Sequence, residues 1–171
     1  MKYLLEYTED WPVAFTQIQA HLLVYLPAGC RVHHVGSTAI PGMPAKDIVD
    51  VNVEVPVGAI GQVIEHLEVA GYRHVGDRGI PGREAFEPLS WSRADALCKH
   101  HLYACEASAR ELRRHLAFRN YLIAHPERAA WLAARKRLHD AGAPTRDAYI
   151  EAKSPDYEAI LAEALGTGGP G

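Results

Sequence analysis

Between Asp47 and Val55 the chain alternates without a break. Val49, Val51, Val53 and Val55 fall on one face of an extended strand, and Ile48, Asp50, Asn52 and Glu54 fall on the other. A run of this kind is a strand with its valines in a core, and the remaining elements must be arranged around it. A carboxylate in a valine-rich strand needs a partner: a divalent metal, a lysine or arginine, or the donors of a turn. Upstream lies Gly36-Ser37-Thr38, where a Gly-Ser turn can turn backbone N–H groups and two hydroxyls toward a phosphate. A phosphate cradle followed by a metal carboxylate is the order that phosphoryl or nucleotidyl transfer needs. The strand supplies only one such carboxylate at the right distance. Asn52 is a neutral oxygen ligand, and Glu54 lies about 13 Å along the strand from Asp50.

The other elements follow from spacing and punctuation. Asp10 is placed to cap a first helix, with Trp11, Phe15, Ile18, Leu22 and Leu26 as its core stripe. Residues 31–35 read as a short strand and 36–46 as a loop held by Pro41, Gly42 and Pro44. Ile60, Val63, Ile64 and Leu67 mark a second helix, which Gly71 ends. Residues 72–75, 83–89 and 99–105 read as further strands. Ser108-Ala109-Arg110-Glu111 forms a capping box for a helix that Pro126 closes. Pro126 opens a second C-terminal helix and Pro144 a third, which Ser154-Pro155 kinks or restarts. The pattern is an α+β (α/β-like) domain over residues 1–165: a mixed sheet flanked by helices, with a helical C-terminal third. The glycine-rich tail, 166–171, is expected to be mobile. Trp91 and Trp131 read as packing residues.

Among 171 residues, 48% are hydrophobic and 23% charged, and the net charge of −3 offers no global basic field for nucleic acid. Residues 108–141 nevertheless carry Arg110, Arg113, Arg114, Arg119, Arg128, Arg135, Lys136 and Arg137, a local basic face suited to a phosphorylated small molecule. Cys30, Cys98 and Cys105 are odd in number and form no CxxC pair, which argues against a disulfide or cysteine-zinc framework. Glu6, Glu9 and Asp10 interrupt any N-terminal apolar run, and no segment has the length of a membrane span. The expected location is cytoplasmic.

The candidate residues are therefore Asp50 and Asn52 for catalysis, and Gly36, Ser37 and Thr38 for phosphate. Lys46, Arg119, Lys136 and Lys153 supply cations, Arg119 with bidentate geometry. Glu84 or Glu87 can bring a further metal carboxylate from a neighbouring strand. His33-His34 and His100-His101 are pairs whose members point to opposite strand faces, and His34 and His101 are the favoured members. A zinc-dependent hydrolase built on those two is a third reading, without HExxH spacing.

The sequence resembles the GrpB family of small bacterial proteins, also labelled UPF0157. The resemblance rests on Trp11, the blocks 34–42 and 45–50, Gly71-Tyr72, His101-Leu102-Tyr103, 115–122 and 149–153. It implies a distant branch of the polymerase-beta-like nucleotidyltransferase fold, in which a Gly-Ser turn precedes a strand with two metal-binding carboxylates. Gly36, Ser37 and Asp50 match. Asn52 stands at the second carboxylate, and Asn120 stands where that block usually has Asp. The family domain is also found fused to some dephospho-CoA kinases, whose P-loop is absent here. Two functions are expected. The first is a module that binds a nucleotide, a CoA precursor or another phosphorylated metabolite, or that assists a protein partner. The second is a transferase in which Mg²⁺ at Asp50 and Glu84 serves attack on a nucleotide by an acceptor hydroxyl.

Overall fold

A computed structural model describes residues 3–166. The alternating segment becomes strand β2 (Val49–Val55), beside β1 (Arg31–Val35). Strands β3 (Tyr72–His74), β4 (Glu84–Pro88) and β5 (His100–Glu106) complete a five-stranded sheet in the order β1-β2-β5-β4-β3. β2 and β5 run parallel and the other neighbours antiparallel.

Both faces of the sheet are covered, because β2 has two different faces to satisfy. The valines pack against α1 (Asp10–Tyr25) and α2 (Ile60–Val69), in a core with Trp11, Ile18, Leu22, Val63, Leu67, Tyr72 and Phe86. The indole of Trp11 also donates to Asp47 Oδ1 at 2.9 Å, pinning the start of β2 to α1. The face bearing Asp50 and Asn52 meets α3 (Arg110–Ala124), which packs with α4 (Pro126–Gly142) and α5 (Arg146–Ala164). Phe118, Leu122, Leu132, Ile160 and Leu161 join this helical layer, and Ile40 and Met43 insert from the loop before β2. That loop therefore runs between the sheet and the helical layer.

Local signals hold in part. Pro126 ends α3 and sits in the first turn of α4. Asp10 is inside α1; its N–H donates to Thr8 Oγ1, so the threonine supplies the oxygen expected of the aspartate. The capping box at Ser108 does not form. Ala109 occupies the cap position, and Glu111 pairs with Arg114 instead. α5 starts behind Thr145, whose hydroxyl accepts from the Ala148 N–H, and it continues through Pro155 without a second start. Its neighbours α3 and α4 hold it where local preference alone would break it. Trp91 is 98% exposed and Trp131 lies at the surface under Arg128, so neither packs in the core. Residues 167–171, most of the glycine-rich tail, lie outside the described residues. Among the described residues no helix is long and apolar enough to cross a membrane.

Candidate functional site

The cleft begins where β1 ends. Gly36 has φ 71° and ψ −168°, a region that is essentially glycine-only. It also leaves no room for a side chain: a Cβ there would stand 2.3 Å from Asp50 Oδ2. Absence of a side chain at 36 thus lets the 3-10 turn Ser37–Ala39 settle against the carboxylate of β2. The turn is fixed from its other side by His34, whose Nε2 shares a 2.9 Å hydrogen bond with Thr38 Oγ1. His34 pairs in register with Val51, on the valine face, and stacks on Phe15 at 4.8 Å between ring centroids. Burial lowers its pKa to about 4, so the ring is neutral at pH 7.

Asp50 stands on the opposite face, in register with His101 of β5. Its Oδ1 accepts from His101 Nδ1 at 2.9 Å. Two adjoining cavities share Asp50, Ser37, Lys136 and Lys153 as walls. One, of about 190 Å³, is completed by Arg83, Tyr103, His115, Phe118 and Tyr157 among others. The second, of about 240 Å³, brings in Thr38, Lys46, His101 and Arg146. Together they fall within the usual size of a small-ligand site, roughly 300–1,000 Å³.

The charge is one-sided. Lys136 is only 6% exposed, and its Nζ donates to Ser37 Oγ at 2.7 Å. Among the described residues it makes no ion pair within 4 Å. Burial first, then repulsion from Lys153, brings its pKa down to about 7 against a weaker pull from Asp50. Burial also lowers Lys153, and Lys46 is lowered by burial and by Arg146 and Lys153. Lys46 and Lys153 both lie over the Tyr149 ring, at 5.8 and 5.7 Å from its centroid. These cations surround a single carboxylate, an arrangement that is costly until an anion enters it.

Several candidates are placed elsewhere. Arg119 does not line the cleft. Its Nη1 donates to the His34 carbonyl at 2.9 Å, and its Nε and Nη2 donate to Asn120 Oδ1, so it holds the end of β1. His34 likewise supports the turn from behind. Glu84 pairs in register with Ala104, which pairs with Val53, so it stands on the valine face, where it bonds His74 at 2.6 Å. It cannot share an ion with Asp50. His34 and His101, on opposite faces, cannot share a zinc ion either. Asn52 is on the Asp50 face but fully buried. Its amide donates to His115 Nδ1 at 3.0 Å and to Cys105 Sγ, and its Oδ1 has no partner.

The described residues therefore do not assemble the carboxylate set of a two-metal site. Among the described residues no group of three or more His, Cys, Asp or Glu side chains is placed to hold a metal ion. The donors around Asp50 are ammonium and guanidinium groups, which suit an anion rather than Mg²⁺.

Sequence reasoning missed Arg83, Arg146, Tyr103, His115 and Tyr157. Arg83 read as the start of a strand; it lies over the Tyr103 ring at 4.5 Å, reached through the β4–β5 pairing. The nearest local signal was its position just after the glycine-rich turn 76–82.

A family profile described as GrpB protein matches residues 3–163. The chain belongs to the GrpB family. It is 36% identical over 153 residues to the UPF0157 protein YqkA of Bacillus subtilis, covering 88% of this chain and 43% of that protein. A second relative, UPF0157 protein PA4798 of Pseudomonas aeruginosa, is 31% identical over 91% of this chain and 64% of its own length. The chain thus spans about two fifths of the first of these curated relatives and just under two thirds of the second. The dephospho-CoA kinase of Mycolicibacterium paratuberculosis is 31% identical over 147 residues, covering 73% of this chain and 36% of that protein. Among solved structures, the conserved protein GrpB from Enterococcus faecalis superposes with a TM-score of 0.78 at 30% identity, over 95% of this chain and 97% of that one. A likeness to the Cid1 poly(U) polymerase, with a TM-score of 0.48 at 9% identity, is too loose to carry weight.

Two outcomes test this geometry. Gly36→Ala should lose about 2 kcal/mol or more in urea denaturation, from backbone strain and collision with Asp50. Gly42→Ala should lose less, because its φ is 76° but nothing lies within 4 Å of its Cβ position. Equal losses would remove the Asp50 contact from the account. The second outcome concerns Lys136. Its folded pKa of about 7 lies below the ordinary lysine value of 10.5, so between those values the unfolded chain binds more protons and stability rises with pH. Lys136→Met, which lacks the buried charge, should be the more stable protein at pH 7. Its advantage should shrink by about 2 kcal/mol at pH 9. An advantage independent of pH would contradict this.

Proposed function

We propose that the chain binds a phosphorylated small molecule, such as a nucleotide or a CoA precursor, with its phosphate beside Ser37. Lys136, Lys153, Lys46 and Arg146 would supply the positive charge that metal ions supply in a transferase. The observation that carries this reading is the Lys136 ammonium, buried beside Ser37 and making no ion pair among the described residues. A phosphate in the shared part of the two cavities would meet Ser37, Lys136 and Lys153 together. It would also relieve the repulsion that lowers Lys153 and Lys46. The remainder of the ligand would extend along Tyr103, Phe118 and Tyr157. The dephospho-CoA kinase relative agrees with a CoA precursor as one member of the ligand class.

Asp50 has a defined part in this reading. It receives His101, seats Gly36 and offsets the cations while no anion is bound. The competing reading, Mg²⁺-dependent nucleotidyl transfer, draws on the succession of Gly36-Ser37 and Asp50. It requires Asp50 to attract a metal ion rather than to offset lysines.

Calorimetric titration with ATP, dephospho-CoA and pyrophosphate, each with Mg²⁺ or with EDTA, separates the two. At least one ligand should bind in EDTA. Asp50→Asn removes a negative charge while keeping an acceptor for His101, and should tighten binding about tenfold, a change of roughly 1.4 kcal/mol. Lys153→Met should weaken it by a similar factor. Binding that needs Mg²⁺ and disappears in Asp50→Asn would establish the transferase reading instead, and binding of none of the three would overturn the proposal.

A further inference from the structure

Anion binding accounts for a buried cation in the cleft, but it does not by itself require that cation to be in hydrogen-bond contact with a serine hydroxyl. Lys136 is almost fully enclosed, and its Nζ is 2.7 Å from the hydroxyl of Ser37. That separation is the reach of a base to a nucleophile, 2.6–3.2 Å. Ser37 is also held more firmly than a ligand-contacting serine needs to be. Gly36 on one side is seated against Asp50, and Thr38 on the other is tied to His34. Arg119 fixes the carbonyl of His34 behind them. Ser37 lines the same cavity as Phe118, Leu132 and Tyr157.

We infer that Ser37 is a nucleophile and Lys136 its general base, acting on a phosphoanhydride or another activated phosphate of the class proposed above, on which reading this inference rests. Ser37 Oγ attacks phosphorus as its proton passes to Lys136 Nζ. The Oγ–P bond forms and the bridging P–O bond breaks, its electron pair leaving with the departing oxygen. Lys153, Lys46 and Arg146 stabilise the charge on the transferred and departing groups. Water then attacks the phosphoseryl phosphorus and the Oγ–P bond breaks. The Lys136 ammonium returns its proton to Oγ, and the proton shed by the water leaves with the phosphate. In the reactive form Nζ is neutral and the hydroxyl donates to it; a bound phosphate raises the pKa of the amine and makes that form the minor one at pH 7, whereas a probe with an uncharged phosphorus centre leaves it as in the free protein. The charged groups facing Nζ are Lys153 on α5, Lys46 before β2, Asp50 on β2 and Arg137 on α4 itself. With burial they place its pKa at about 7, so a large fraction of the amine is neutral at that pH.

A fluorophosphonate probe tests this without a known substrate. Ser37 Oγ forms the bond to phosphorus, the P–F bond breaks, fluoride leaves and Lys136 takes the proton. Peptide mass spectrometry locates the adduct. Wild-type protein in EDTA should label at Ser37, with a rate that rises through pH 7 and then levels, and pyrophosphate should slow it. Ser37→Ala should not label there. Lys136→Met and Lys136→Arg should label at least a hundredfold more slowly, the usual share of a general base. The wild-type pH profile stands even if the Lys136 variants fold poorly. An absence of Ser37 adduct, a rate that does not change through pH 7, or a Lys136→Met rate within threefold of wild type would overturn the inference. Calorimetry with pyrophosphate on the same preparation keeps the two proposals apart. Protein that binds pyrophosphate but does not label overturns this inference alone, whereas protein that does neither overturns the binding proposal as well.

Discussion

The close approach of Gly36 to the Asp50 carboxylate sets the geometry of the cleft. β1 and β2 are antiparallel neighbours, so the residue that leaves β1 passes directly beside the face of β2 that carries Asp50. Only a residue without a Cβ can make that passage at φ 71°. Ser37 and Thr38 are placed by it, and the loop that follows carries Ile40 and Met43 into the helical layer. α4 then delivers Lys136 to Ser37 from the other side.

Electrostatics decides what such a cleft can hold. One carboxylate shared with a histidine stands among three lysines and two arginines. A divalent ion placed beside Asp50 would meet ammonium groups where a second carboxylate is needed. Asn52 does not relieve this, because its side chain is neutral and fully buried, with its amide N–H groups turned to His115 and Cys105. A phosphate meets the opposite balance. It also gives the buried Lys136 a counter-ion, which turns a destabilising burial into a binding energy.

The sheet was legible where periodicity was strict. β2 announces itself through four valines alternating with polar residues, and the C-terminal helices through Pro126 and the residues around it. Asp50, the Gly36-Ser37 turn, Lys46, Lys136 and Lys153 were all readable as candidates, and the structure brings them into one cleft. What the sequence hides is which face of the sheet a distant residue occupies. Glu84 and His34 are plausible ligands by type, yet strand register puts both on the valine face, away from Asp50. Arg119 has the chemistry of a phosphate clamp, but one turn of α3 aims it at the His34 carbonyl. Arg83 and Arg146 reach the cleft through pairings and packing between segments far apart in the chain, for which no local pattern exists. The failed caps at Asp10 and Ser108 have a simpler cause, since Thr8 and the Glu111–Arg114 pair offered closer partners.

The cleft is built on a buried amine that is poised between its two protonation states until an anion arrives. Nuclear magnetic resonance of lysine-labelled protein, with Lys136 assigned by its loss in Lys136→Arg, reads that state directly. The titration midpoint of Lys136 should lie near 7 in the free protein and rise when pyrophosphate is added, because the bound anion favours the ammonium. A midpoint at the ordinary lysine value of about 10.4, unmoved by pyrophosphate, would contradict the account at its centre.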